Sequence, residues 1–356
     1  MAASENAIIK RFEGAQDSLV LQSSDLSLET IAKMVENEAI DVSPHYQRRE
    51  RWKEGAQAKL IESFLLNVPV PPVYLAEDDF GTYSVIDGKQ RITAIYCFLR
   101  DKFVLEDLEG FSEVNALNFS GLPKPLQNAL SIRPYLRVVT LLKQTDPELK
   151  YEVFTRLNTG GQPLLPQEIR NALYRGQFND LLFELGKEKF LRKQLKIVTE
   201  KESAYTEMLD VEMVLRFFTF RDHWGSFNGN SRRSMDDFMA KHRKSSKATL
   251  AAFRGRFNSA LDRCQELWGD NAFKRHTANG FRDQFLAAIY DAQMIAADSL
   301  SISAFNKLRT KKAAVLNATK ALFTDARFEE AVRASTNTPS RVRYRIEKVI
   351  DMLKAI

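Results

Sequence analysis

The stretch Thr82-Tyr83-Ser84-Val85-Ile86-Asp87-Gly88-Lys89-Gln90-Arg91-Ile92-Thr93-Ala94-Ile95-Tyr96 decides the reading of the N-terminal half. Thr82 to Ile86 alternates as a strand, Asp87-Gly88 breaks it, and helical periodicity resumes through Ile92, Ile95, Tyr96 and Leu99. Just upstream, Val73-Tyr74-Leu75 reads as a second short strand and Asp78-Asp79-Phe80-Gly81 as a turn, so the two strands make a hairpin. A helix that starts directly after a tight turn presents N–H groups and the positive end of its dipole, which together attract anions. Gly88 lets backbone approach a phosphate closely. Lys89 and Arg91 add cationic donors, and Arg grips phosphate bidentately. Asp87 is placed to hold a nucleotide-bound metal ion or to orient a water. The same residues also read as a capping box, with Asp87 as the cap and Gln90 three residues later, a purely structural role. Both readings stand on the residues alone.

Working outward, Ala56 to Leu66 carries Leu60, Ile61, Phe64 and Leu65 at helical spacing, and Asn67, Pro69, Pro71 and Pro72 end that helix. Tyr46-Gln47-Arg48 follows Ser43-Pro44 in a polar segment, which predicts an extended or turn conformation. Downstream, Tyr135 to Leu142 is a β-branched strand. Pro147 to Leu157 is a helix stopped at Asn158-Thr159-Gly160-Gly161, and Pro166 with Glu168 opens another over Gln167 to Tyr174. Beyond about Asp180 the pattern turns helical, with Val211–Phe220, Ala248–Trp268, Gly280–Ala296, Ile302–Phe323 and Val342–Leu353 as the main spans. The fold class expected is α+β: a mixed domain over residues 1–180 followed by an all-α domain over 181–356.

The bulk properties exclude several classes. At 356 residues, 44% hydrophobic and 28% charged, the chain has the composition of a folded globular protein rather than a disordered or fibrous one. No apolar run is long enough to span a bilayer, and the N-terminus lacks the basic and apolar regions of a secretory signal. Cys97 and Cys264, the two cysteines, lie far apart in apolar helical contexts and read as buried thiols. A cytoplasmic location is expected. The net charge of +6 is uneven: Phe305 to Ile356 holds twelve Lys/Arg against five Asp/Glu, and a second basic stretch runs from Arg232 to Lys247. Such clusters attract phosphate backbones through counterion release, and they also occur as solvated helix faces.

The blocks around the central stretch form an ordered set: Tyr46-Gln47-Arg48, Trp52, Leu60-Ile61-Glu62-Ser63, Pro69-Val70-Pro71-Pro72 and Val85-Ile86-Asp87-Gly88-Lys89-Gln90-Arg91. They continue through Phe154-Thr155-Arg156-Leu157-Asn158-Thr159-Gly160-Gly161 to Leu164 and Gln167-Glu168-Ile169-Arg170-Asn171-Ala172. In this order they resemble the N-terminal domain of GmrSD-type restriction endonucleases, over roughly Val42 to Phe178. The resemblance implies a ParB/sulfiredoxin-like fold and a site for a nucleoside triphosphate with Mg²⁺. That family's motif reads Asp-Gly-Gln-Gln-Arg, so Lys89 here replaces the first Gln. A lysine still meets phosphate but lacks an amide acceptor. Carried over by position, Asp87 is the catalytic or metal-facing carboxylate, Gln90 orients water or base, and Arg91 binds phosphate beside Gly88 and Lys89. Gln47 and Arg48 approach the pocket from the first loop, and Arg156 and Asn158 from a helix end. For the last two the structural alternative is a helix C-cap. Glu168 and Arg170 read as an ion pair on a helix face.

Other chemistries are missing. The four histidines, His45, His223, His242 and His276, show no metal-ligand spacing, and no cysteine pairs suit zinc. There is no Walker-type loop and no Ser/His/Asp arrangement. Asp146-Pro147-Glu148-Leu149-Lys150 contains the Glu-x-Lys of some nucleases, but it sits where a helix begins and reads as an N-cap with an acidic first turn. Phe217, Phe218, Phe220, Trp224 and Phe227 read as core rather than as a base-stacking surface. The leading expectation is a nucleotide-binding, NTP-hydrolysing component of a bacterial restriction or anti-phage system, with DNA and a partner nuclease subunit as its contacts and no membrane. The rivals are a non-catalytic ParB-like DNA-binding module and a metal-dependent endonuclease acting alone.

Overall fold

The computed structural model describes residues 19–42, 54–79, 81–157 and 165–356, together with Ile9 and residues 12–14. Packing divides the chain into two compact units, residues 1–173 and 174–356.

The first unit contains β1 (Leu21–Ser27), α1 (Leu28–Glu36), β2 (Ile40–Asp41), α2 (Glu54–Leu65), β3 (Val73–Asp79), β4 (Thr82–Asp87) and α3 (Lys89–Leu99). It continues with α4 (Lys124–Ile132), β5 (Tyr135–Leu141), α5 (Pro147–Leu157) and α6 (Pro166–Leu173). The strands form one mixed sheet in the order β1-β5-β3-β4-β2. The expected hairpin places β4 antiparallel to β3, β5 lies parallel to β3 on its other side, and β1 closes that edge antiparallel to β5. Strand alternation sends Val73, Leu75, Val85, Leu136 and Val138 to one face, where they join Ile92, Ile95 and Phe98 of α3 and Leu28 and Ile31 of α1 in a single apolar cluster. Each of these fully buried side chains contributes about 1.5–3 kcal/mol. Helices α5 and α6 pack instead against β4, on the face that carries buried Ser84 and Ile86.

Strand β1 and helix α1 went unforeseen. Leu-Gln-Ser-Ser-Asp-Leu-Ser has no apolar alternation, and most of its side chains face solvent. It is a strand because its backbone pairs with β5 along its whole length, from Leu21 opposite Leu141 to Ser27 opposite Tyr135. Ser27 then caps α1, its hydroxyl accepting from Thr30 N at 3.2 Å. The Asp146 carboxylate likewise accepts from Leu149 N at 3.2 Å at the start of α5, the helix-start role expected for it.

The second unit is mainly helical: α7 (Gln177–Leu185), α8 (Lys189–Gln194), α9 (Ser203–Thr206), α10 (Leu209–His223), α11 (Ser231–His242) and α12 (Lys247–Trp268). Then follow β6 (Lys274–Thr277), β7 (Gly280–Phe285), α13 (Ala287–Ser299), α14 (Ile302–Arg309), α15 (Lys312–Leu322), α16 (Ala326–Arg333) and α17 (Pro339–Ala355). The single helix expected over Gly280–Ala296 is therefore corrected: its first six residues are a strand, paired back onto β6 with Thr277 opposite Gly280. Gly280 at φ +99° makes the turn that reverses the chain. The helix expected over Ile302–Phe323 is two, separated at Thr310-Lys311, where the Thr310 hydroxyl donates back to Lys307 O at 2.8 Å.

The phenylalanine cluster is core, as read. Phe217, Phe218, Phe220 and Phe227 are buried, and Phe218 packs on Phe253 at 4.9 Å between ring centroids. Helix α13, buried on nearly every side, carries Asp291 into the middle of the unit. Its carboxylate accepts from Arg216 Nε (2.7 Å) and Nη2 (2.8 Å) and from Arg345 Nη2 (2.8 Å). Both guanidinia are buried, so this triad joins α10, α13 and α17 through charge-assisted bonds in a dry setting.

Candidate functional site

Asp87 is the last residue of β4 and lies opposite Tyr74 at the start of β3. Gly88 follows in the left-handed region at φ +91° and is the N-cap of α3. No side chain caps this helix, and its first internal bond runs from Ile92 N to Gly88 O at 3.0 Å. The capping box is thus not what the residues build. The Asp87 carboxylate turns instead to Arg91, one helical turn on, and the two form an ion pair. Arg91 also donates to the Pro72 carbonyl at 3.4 Å. Its Nε is buried with no acceptor among the described residues.

The spacing of the motif blocks now has a physical reason. The Pro69-Val70-Pro71-Pro72 segment leads into β3, so that Pro72 offers its carbonyl to Arg91 and Val73 lies beneath the Gly88 turn. A Cβ at residue 88 would lie 2.4 Å from Val73 Cγ1, 2.9 Å from Val73 Cβ and 3.1 Å from Arg91 Nε. Gly88 is required by its φ and by this contact together. The result is a helix start with a buried glycine at its N-cap, a largely buried cation one turn in and a part-exposed carboxylate beside it: the side chains of Arg91 and Asp87 are 16% and 37% exposed.

Of the other predicted site residues, Lys89 and Gln90 occupy the first turn of α3, both half-buried. Arg156 lies in the last turn of α5, where its exposed guanidinium bridges to Glu152 on the same helix at 2.8 Å. Gln47, Arg48 and Asn158 lie outside the described residues. Glu62 of the α2 block is an anchor: its Oε1 accepts from the amides of Gly110 (2.8 Å) and Phe111 (2.9 Å) and ties that loop to α2.

Helix α6 holds what the sequence reading placed wrongly. Glu168 and Arg170 are not a solvated pair; with Gln167 and Asn171 they are at most 3% exposed. The Glu168 carboxylate accepts from Leu165 N at 2.8 Å, Arg170 donates to Gln167 Oε1 at 3.3 Å, and Gln167 donates to Asn171 Oδ1 at 2.9 Å. Buried Ser84 of β4 donates to the Ala172 carbonyl at 2.8 Å and ties this polar helix to the strand that ends in Asp87. Four polar residues on adjacent faces of an eight-residue helix were the available signal.

Among the described residues no group of three or more His, Cys, Asp or Glu is arranged to hold a metal ion. No helix of the described residues is long and apolar enough to cross a membrane.

Fold and site define a mixed α+β module whose charged strand–glycine–helix junction closes one end of a central hairpin. Residues 31–175 match the GmrSD restriction endonuclease N-terminal domain. The match runs from α1 through α6 and takes in Asp87 to Arg91. A domain of this family marks a component of a restriction, anti-phage system. Neither the curated proteins nor the solved structures contain a significant match to the chain.

Proposed function

We propose that the first unit binds a nucleoside triphosphate with Mg²⁺ at the Asp87–Arg91 junction and hydrolyses it, and that this event controls the action of the restriction system on DNA. The observation that carries the reading is the uncapped helix start at Gly88, with Arg91 held across its mouth by Asp87. In the nucleotide-free protein Asp87 neutralises Arg91. An incoming phosphate makes the stronger bidentate partner for the guanidinium, while the helix dipole supports the same negative charge. Asp87 would then hold the metal ion, which would offset phosphate charge. Gln90, in the same turn, is the residue that orients the attacking water, and Lys89 supplies a further phosphate contact where the family has Gln. The second unit offers the basic surfaces for DNA or a partner nuclease subunit.

Calorimetric titration of each nucleoside triphosphate with Mg²⁺, wild type beside Arg91→Ala, followed by phosphate release on the same samples, tests this. Binding that vanishes in Arg91→Ala and turnover that vanishes in Asp87→Asn are the expected results. A folded wild type that binds none of the nucleotides overturns the reading and leaves the module as a DNA-binding scaffold.

A further inference from the structure

Part of the surface charge of the second unit is paired across elements. Lys193 meets Asp270, Arg254 meets Glu184, Lys312 meets Glu266, and Arg341 meets Glu330. The cleft between the β6–β7 hairpin and helices α15–α16 gathers more cations than carboxylates. Two adjoining depressions share Arg275 and Arg333; Arg282 of β7 lines one and Lys320 of α15 lines the other. His276 adds a titratable ring, and Glu329 of α16 is the one carboxylate among the lining residues. Glu329 is shared between Arg275 and Arg333, the latter at 3.6 Å. Arg282 and Lys320 are exposed, and neither has an ion-pair partner among the described residues. Four cations thus face one carboxylate across an open groove. Four cations less one carboxylate leave the lining with a formal charge of +3, which favours an anion carrying several charges.

We propose that this cleft binds the phosphate backbone of nucleic acid. The hairpin supplies one wall (Arg275, Arg282) and the two helices the other (Lys320, Arg333), so phosphates on one strand are gripped from both sides. Three of the four cations are arginines, whose planar forks suit phosphate oxygens. Glu329 occupies the place of an anion between Arg275 and Arg333 and keeps their guanidinia aimed into the groove in the absence of ligand. The inference rests on the reading that the chain acts on DNA within its restriction system. It names the surface that makes the contact, a surface formed only because Gly280–Phe285 is a strand.

Fluorescence anisotropy of a labelled DNA duplex over a salt series, with the full-length chain, tests it. The variants are Arg282→Ala/Lys320→Ala and Glu329→Gln, each checked for unchanged thermal unfolding. Loss of two phosphate contacts lowers the magnitude of the slope of log K against log salt by about 2, and weakens binding at low salt by roughly tenfold or more. Glu329→Gln, which removes the competing carboxylate, tightens binding. Nucleotide titration of Arg282→Ala/Lys320→Ala, whose changes lie outside the Asp87–Arg91 junction, matches wild type, so failure of either reading is separable from failure of the other. Wild-type affinity and salt slope in the double variant overturn the proposal, and so does a wild type that does not bind duplex at low salt.

Discussion

Replacing Gly88 by Ala is the sharpest probe of the strand–glycine–helix junction. The added Cβ meets two atoms of Val73, the nearer at 2.4 Å, and Val73 is 1% exposed and fixed at the start of the central strand. It must also hold φ near +91°, which disfavours any side chain. The left-handed conformation costs about 1–2 kcal/mol and overpacking a filled site about 1–3 kcal/mol, together about 2–5 kcal/mol. For a unit of this size that lowers the melting temperature by roughly 4–20 °C. Scanning calorimetry of the full chain measures it. The clash adds a second, more diagnostic expectation. Val73→Ala removes Cγ1, so the double variant Gly88→Ala/Val73→Ala is less destabilised than the sum of the two single changes, by about 0.5–3 kcal/mol. Nucleotide binding is lost in Gly88→Ala, because the start of α3 is displaced. A Gly88→Ala protein that melts like wild type, or a double variant that is strictly additive, refutes the account of why this position is glycine.

Two further predictions concern the second unit. Asp291→Asn leaves buried Arg216 and Arg345 without a counter-charge and lowers the stability of that unit by about 3–5 kcal/mol, read by urea denaturation; a loss below about 1 kcal/mol contradicts the role of the triad. His242 stacks against Phe238, its ring 4.3 Å away, and its pKa is lowered by burial first and by neighbouring Lys241 second, with Asp222 opposing. The unfolded chain therefore binds the proton more readily than the folded one. Stability is full above the unfolded value near about 6.5 and falls as the pH drops from there through the lowered folded value. Denaturation at about pH 7.5 and about pH 5.5 should show a smaller acid loss in His242→Gln than in wild type; equal losses would assign the acid sensitivity to other groups.

Local physics made much of this protein readable. The β3–β4 hairpin, the break at Asp87-Gly88 and the helix after it follow from alternation, turn residues and period, all properties of neighbours in the chain. The phenylalanine core of the second unit was legible for the same reason: a dense apolar run on a helix has nowhere to go but inward. The opening blocks of the motif, including Gln47 and Arg48, lie outside the described residues.

Only the tertiary structure decided the rest, because each case depends on residues far apart in the chain. Leu21–Ser27 is a strand through the backbone of β5, more than a hundred residues away. Asp87 faces Arg91 and not its own helix end because β3 brings Pro72 and Val73 beneath the turn and leaves Arg91 within reach. Glu168 and Arg170 look like a helix-face pair in sequence, yet α6 is buried against β4, where Glu168 accepts from Leu165 N and Arg170 donates to Gln167. Gly280–Phe285 has no strand signature of its own and becomes one by pairing with Lys274–Thr277, which sets Arg282 facing the helices that carry Lys320 and Arg333. Composition announced that the C-terminal half is basic. Which cations share a cleft, and which are answered by a carboxylate, is a matter of distances that folding alone creates.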